Sequence, residues 1–101
     1  MKEQITTLEV ADYLKTEADQ LEYLTLCAED NDAKTLAIAL GHVARARGGM
    51  TQLARDTGVA REALYRALSD AGNPELGTIM KVLEALGLHM SFTTARSPEH
   101  A

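Results

Sequence analysis

Apolar residues recur at helical spacing along most of this chain. Val10, Tyr13 and Leu14 share one face of a short helix over about 7–15, preceded by Thr6-Thr7-Leu8-Glu9 with Thr and Glu at capping-box spacing. Thr16-Glu17-Ala18-Asp19 repeats that signal. Leu21, Leu24, Cys27 and Ala28 then give the inner face of a helix from 17 to about 29, ended by Asp30 and Asn31. Asp32 is placed to cap the next helix, whose Leu36, Ala39, Leu40 and Val43 face inward until Gly48 and Gly49 stop it near Arg47. Gly41 lies inside that helix, where glycine costs about 1 kcal/mol relative to alanine, so either close packing requires it or the helix bends there.

Two shorter periods occupy residues 50–69. Leu53 and Ala54 are apolar on one side of a first helix, Gly58 supplies the freedom to leave it, and Val59, Ala63, Leu64 and Ala67 give a second helix its buried face. Ala71-Gly72-Asn73-Pro74 reads as a turn, because Pro74 has no amide proton and restricts Asn73. A last helix over about 76–86 carries Leu76, Ile79, Met80, Leu83 and Leu86 on its apolar face and Gly87 at its end. The period then changes to two: Leu88, Met90 and Phe92 alternate with His89, Ser91 and Thr93, which predicts a strand over 88–94. A lone strand is unstable, so its expected partner is the same strand of a second copy across a two-fold axis, with Ile5 as a weaker alternative. Residues 95–101 read as a tail.

The 101 residues suit one domain, and 46% hydrophobic with only 4% aromatic content means an aliphatic, alanine-rich core that favours helices. The expected fold class is therefore all-α, with five to six short helices and acidic N-terminal helices over 1–31. No apolar run approaches the roughly 20 residues of a membrane span, and Met1-Lys2-Glu3-Gln4 lacks the build of a signal peptide, so a cytoplasmic address is expected. Cys27 is alone and reads as a small hydrophobe on a helix. His42, His89 and His100 have no ligand spacing, and neither a glycine-rich phosphate loop nor a Ser, His and acid set can be assembled. No enzyme, metal or cofactor is expected.

The net charge is −5, but it is unevenly spread: residues 1–35 carry three lysines against nine acids, and residues 41–70 carry five arginines against three. Screening confines each charge to about 8 Å at physiological salt, so the acids weaken an anion-binding surface on 41–70 less than the total suggests.

Residues 50–69 have the arrangement of a helix-turn-helix that reads DNA, with the second helix in the major groove. If Val59 ends the turn, the groove side of that helix is Ala60, Arg61, Glu62, Tyr65, Arg66 and Ser69, since Ala63, Leu64 and Ala67 are committed inward. Arginine can donate two hydrogen bonds to guanine, glutamate can accept one from cytosine, and a methyl such as that of Ala60 can touch thymine; a good bidentate pair discriminates by about 1–3 kcal/mol. Arg61 and Arg66 lead the candidates. The plain alternative is a solvated face, with Glu62 and Arg66 as a surface pair of about 0.2–0.5 kcal/mol. Thr51 and Gln52 open the first helix, where short polar side chains and amides can bind phosphate. Asn73 either reaches phosphate or forms its turn. Arg45 and Arg47 either extend the patch or complement the carboxyl end of their own helix, the reading favoured here.

Ala54, Gly58 four residues on, Val59 next and Leu64 five beyond match phage Cro and repressor helix-turn-helix units. Thr51-Gln52-Leu53-Ala54-Arg55, Gly58-Val59, Arg61-Glu62-Ala63-Leu64-Tyr65-Arg66-Ala67-Leu68-Ser69, Gly72-Asn73-Pro74 and Lys81-Val82-Leu83-Glu84-Ala85-Leu86-Gly87-Leu88 go further. Together they resemble the addiction-module antidote proteins, small HigA-like antitoxins encoded beside RelE/ParE-type toxins. The similarity covers about residues 10–92 and is densest over 51–88.

The resemblance implies a lambda-repressor-like domain forming a homodimer on a pseudo-palindromic double-stranded operator, with recognition helices about 34 Å apart. It also implies the antitoxin of a type II toxin-antitoxin module, which neutralises a co-encoded RelE/ParE-like toxin and represses the shared operon. Such toxins are small and basic, which makes the acidic first 35 residues the expected docking surface. One departure is Ala60, where relatives carry a capping Ser or Thr; alanine forfeits about 1 kcal/mol. Another is Met50, where many phage repressors have glutamine. Two other readings remain open: a free-standing Cro-like transcriptional regulator, and a protein-interaction module that keeps the fold without binding DNA.

Overall fold

The computed structural model describes residues 10 and 12–95. The expected cap at Thr6 and Glu9, the strand partner Ile5 and residues 96–101 of the tail lie outside them. Five helices follow one another: α1 Glu17–Ala28, α2 Ala33–Arg47, α3 Met50–Thr57, α4 Arg61–Ala67 and α5 Leu76–Ala85. A helical turn through Val10, Asp12 and Tyr13 precedes them, which agrees with the end of the helix expected over 7–15.

Local chemistry sets most boundaries. Thr16 caps α1, its hydroxyl accepting from the Asp19 amide at 3.1 Å. Asn31 leaves that helix with a positive φ of 53°. Asp32 does not cap α2 as expected: its carboxylate accepts from the Thr35 hydroxyl at 2.8 Å instead of from a backbone amide. At the far end, the Gly87 amide reaches the Glu84 carbonyl and the Leu88 amide the Leu83 carbonyl, a Schellman closure with Gly87 at φ 74°.

Helix α2 is the centre of the core. Its Ala37, Leu40 and Val43 are fully buried, as are Leu64 of α4 and Val82 of α5. Helix α1 packs on α2, and α3 packs on α2, α4 and α5. Gly41 is explained by close approach: a β-carbon there would stand 3.0 Å from the Leu68 carbonyl oxygen and 3.3 Å from the Leu68 β-carbon. Gly72 is more constrained, since a β-carbon would fall 2.0 Å from the Arg66 carbonyl oxygen.

Two helix faces are rotated from expectation. On α5, Ile79, Val82 and Leu86 are buried, while Leu76 and Met80 are 68% and 49% exposed. Apolar residues lie almost all round this helix, so spacing alone does not fix which stripe meets α3. On α1, Leu24 and Gln20 are buried and Leu21 and Ala28 are exposed. Gln20 tolerates burial because its amide is satisfied at both ends: Nε2 donates to the Leu14 carbonyl at 3.1 Å and Oε1 accepts from Arg47 Nε at 2.6 Å.

The strand expected over 88–94 is absent from this chain, and no strand occurs among the described residues. The segment leaves α5 as exposed irregular backbone, with Phe92 87% exposed. A strand needs a hydrogen-bonding neighbour, and the described chain offers none.

Candidate nucleic-acid interface

Helices α3 and α4 are joined by Gly58, Val59 and Ala60. Gly58 sits at φ 76°, where a β-carbon is strained, and its amide closes on the Ala54 carbonyl at 2.9 Å. The Thr57 hydroxyl donates to the Leu53 carbonyl at 2.8 Å and accepts from the Val59 amide at 3.1 Å, pinning the turn from inside. Ala60 occupies the N-cap of α4 at φ −58° and ψ 141° without any side-chain cap, as its methyl dictates. Leu64 and Leu68 anchor α4, and Ala63 and Ala67 are half-buried. Arg61, Glu62, Tyr65 and Arg66 are therefore presented outward together, with Ala60 exposed at the start of the same helix.

The remaining candidates divide. Thr51 and Gln52 are exposed on the first turn of α3, where Gln52 donates to Asp56 at 2.9 Å. Ser69 is half-buried and engaged in the turn after α4: its hydroxyl donates to the Arg66 carbonyl at 3.1 Å and accepts from the Ala71 amide at 3.3 Å. Asn73 is exposed in the same loop.

The charges on α4 are largely unneutralised. Among the described residues the ion pair within 4.0 Å is Lys15 with Asp12 at 3.5 Å, and neither Arg55, Arg61 nor Arg66 has a carboxylate that close. The Glu62–Arg66 surface pair of the alternative reading does not form within 4.0 Å. Tyr65 instead organises two guanidiniums: Arg61 Cζ lies 5.2 Å and Arg45 Cζ 5.7 Å from its ring centroid, and Arg61 Nη2 donates to the Tyr65 hydroxyl at 3.3 Å.

Arg45 and Arg47 thus do different work from the helix-end role favoured for both. Arg47 is turned inward, donating to Gln20 and to the Leu86 carbonyl at the end of α5. Arg45 is exposed and joins the α4 face. Nothing in the sequence linked Arg45 to a tyrosine twenty positions on. Thr57 was not singled out from the sequence, although a hydroxyl residue just before a turn glycine is a common turn-forming signal.

A second polar cluster lies between α1 and α2. The Tyr23 hydroxyl and His42 Nδ1 share a hydrogen bond at 2.7 Å, whose donor is set by the imidazole tautomer. Burial, reinforced by neighbouring Cys27, pushes the Tyr23 pKa up to about 12. Burial also raises the Cys27 thiol, and burial together with the Arg45 charge lowers His42. Among the described residues no group of three or more His, Cys, Asp or Glu could hold a metal ion.

Fold and site define a small all-helical protein with an arginine-bearing helix displayed beyond a tight turn. Residues 4–94 match the family model described as probable addiction module antidote protein, and the chain belongs to that family. It is also similar to an uncharacterised protein of Haemophilus influenzae (strain ATCC 51907 / DSM 11121 / KW20 / Rd), 42% identical over 96 residues that span 95% of this chain and 98% of the relative. No solved structure matches. No helix among the described residues is long and apolar enough to cross a membrane.

Proposed function

We propose that this antidote protein binds operator DNA through a helix-turn-helix of the Cro and repressor type, represses its own operon and neutralises a co-encoded RelE/ParE-like toxin. The observation that carries the DNA reading is the outward face of α4, where Arg61 and Arg66 stand without carboxylate partners beside Tyr65. Unpaired guanidiniums on an exposed helix suit guanine edges and phosphates. Thr51 and Gln52 at the start of α3 and Asn73 after α4 serve as phosphate contacts, and Glu62 and Ala60 as base contacts. Ser69 contributes by holding the turn.

The working unit is a homodimer. Leu76, Met80, Met90 and Phe92 are exposed apolar side chains on α5 and the segment after it. Their burial against a second copy would remove these side chains from water. The toxin-docking surface is α1, which exposes Glu17, Glu22, Leu21 and Leu26 with Glu29 and Asp30 just beyond it. Acidic groups around apolar ones complement a basic partner.

The test is a binding titration against the DNA upstream of its gene at two salt concentrations, with and without the neighbouring gene's product. Saturable, salt-sensitive binding that prefers this DNA over a scrambled duplex is the expected result, with a shift when the neighbour is added. Binding to the neighbour alone makes an interaction module without DNA contact the better account. DNA binding indifferent to any neighbour favours a free-standing regulator.

A further inference from the structure

Arg45 belongs to α2, outside the helix pair to which DNA reading is assigned, yet its guanidinium lies against the ring of Tyr65 on α4. Gly41 lies where α2 meets the end of α4. A β-carbon at Gly41 would stand 3.4 Å from Arg45 Nη1 and 3.0 Å from the Leu68 carbonyl oxygen. The missing side chain therefore lets α2 close on the end of α4, which brings Arg45 within reach of Tyr65. Arg61 approaches the same ring from within α4, so two cations converge on one aromatic and neither has a carboxylate within 4.0 Å among the described residues. Two cations on one aromatic, with no acid paired to either among the described residues, raise the local positive potential and favour an anion beside them. Arg45 remains exposed, so its donors stay available to one. Arg47, two residues on, is spent on Gln20 and Leu86, which sets Arg45 apart from a general basic helix end.

We propose that Arg45, Tyr65 and Arg61 form one phosphate-gripping unit, in which Arg45 contacts the DNA backbone at the side of the groove that α4 enters and the Tyr65 ring orients both guanidiniums. This rests on the DNA-binding reading and extends it to a residue outside the helix-turn-helix. A phosphate contact carries no base information, so its loss weakens binding to any sequence alike, whereas loss of a base contact erodes preference.

The experiment measures fluorescence anisotropy of the full chain on labelled duplex from upstream of its gene and on a scrambled duplex, across a salt series. Wild type is compared with Arg45→Gln, Arg45→Lys and Tyr65→Leu. Arg45→Gln is expected to weaken binding to both duplexes on the order of tenfold near 0.1 M salt and to flatten the slope of log affinity against log salt by about one per protomer. Arg45→Lys should keep most of the slope, as a lysine can still neutralise a phosphate. Tyr65→Leu, which removes the ring without touching either charge, should weaken both duplexes as Arg45→Gln does and serves as the independent check if that variant folds poorly. A salt-sensitive wild type beside an Arg45→Gln variant unchanged in slope and affinity overturns the inference and leaves the DNA reading standing. A wild type without salt-sensitive binding to either duplex overturns both.

Discussion

Arg47 is tied on two sides, to the buried Gln20 side chain and to the Leu86 carbonyl at the C-cap of α5, and so joins three helices at one guanidinium. Replacing it with alanine leaves Gln20 Oε1 unpaired in a site that water barely reaches. Urea unfolding of Arg47→Ala should show a loss of about 1–3 kcal/mol, and an unchanged midpoint would remove this joint from the account of the fold. Gly72 makes the companion case. Its missing β-carbon is the space occupied by the Arg66 carbonyl, so Gly72→Ala must shift backbone at the end of α4. A drop in thermal midpoint larger than that of a Gly77→Ala control, where nothing lies within 4 Å, is the expected outcome.

At the scale of elements, α4 is a seven-residue helix that begins without a side-chain cap. Ala60→Ser supplies an acceptor for the open amides of its first turn and should stabilise the protein by about 1 kcal/mol in urea unfolding; no gain would mean that the turn geometry denies the hydroxyl its amide. The α1–α2 hairpin is held in part by Tyr23 and His42. Because burial and Arg45 lower the pKa of His42 below its ordinary 6.5, the unfolded chain binds that proton more readily than the folded one. The contribution is therefore complete above about pH 6.5 and lost as pH falls through the lower folded value. Unfolding midpoints taken between about pH 7.5 and about pH 5 should fall more for wild type than for His42→Gln. Equal slopes would show that folding does not lower the His42 pKa and would remove this contribution.

At the scale of the molecule, the acidic N-terminal part is not a detachable arm. Val10, Leu14 and Leu24 belong to the core, and Gln20 ties α1 to Arg47. Deleting residues 1–30 would remove core along with charge, so the proposed toxin-docking surface is better tested by reversing exposed charges. A Glu17→Lys, Glu22→Lys, Glu29→Lys variant should keep its thermal midpoint and its DNA affinity while losing affinity for the toxin by tenfold or more, on the order of what repulsive juxtaposition costs. Retained toxin affinity in the folded variant would move the docking surface elsewhere.

Helix boundaries were largely legible in the amino-acid order because they depend on neighbours in sequence. Thr16 finds an amide three residues on, Gly58 and Gly87 take left-handed φ, and Pro74 interrupts the chain before α5. The outward set on α4 followed for the same reason: once Leu64 is buried, helical spacing turns Arg61, Tyr65 and Arg66 away from the core. What sequence could not decide was every choice between two locally equal options. Leu76 or Val82 could equally face α3, and Gln20 or Leu21 could face α2; a polar residue won the second place because distant groups satisfied its amide. The alternating residues 88–94 suit a strand, but a ladder needs a partner that no local pattern provides. Arg45 and Arg47 are alike in sequence, and only the packing of α2 against α4 and α5 sends one to Tyr65 and the other to Leu86. Local torsion and capping are written in adjacent residues, whereas helix phase and the fate of a long cation depend on groups brought near by folding.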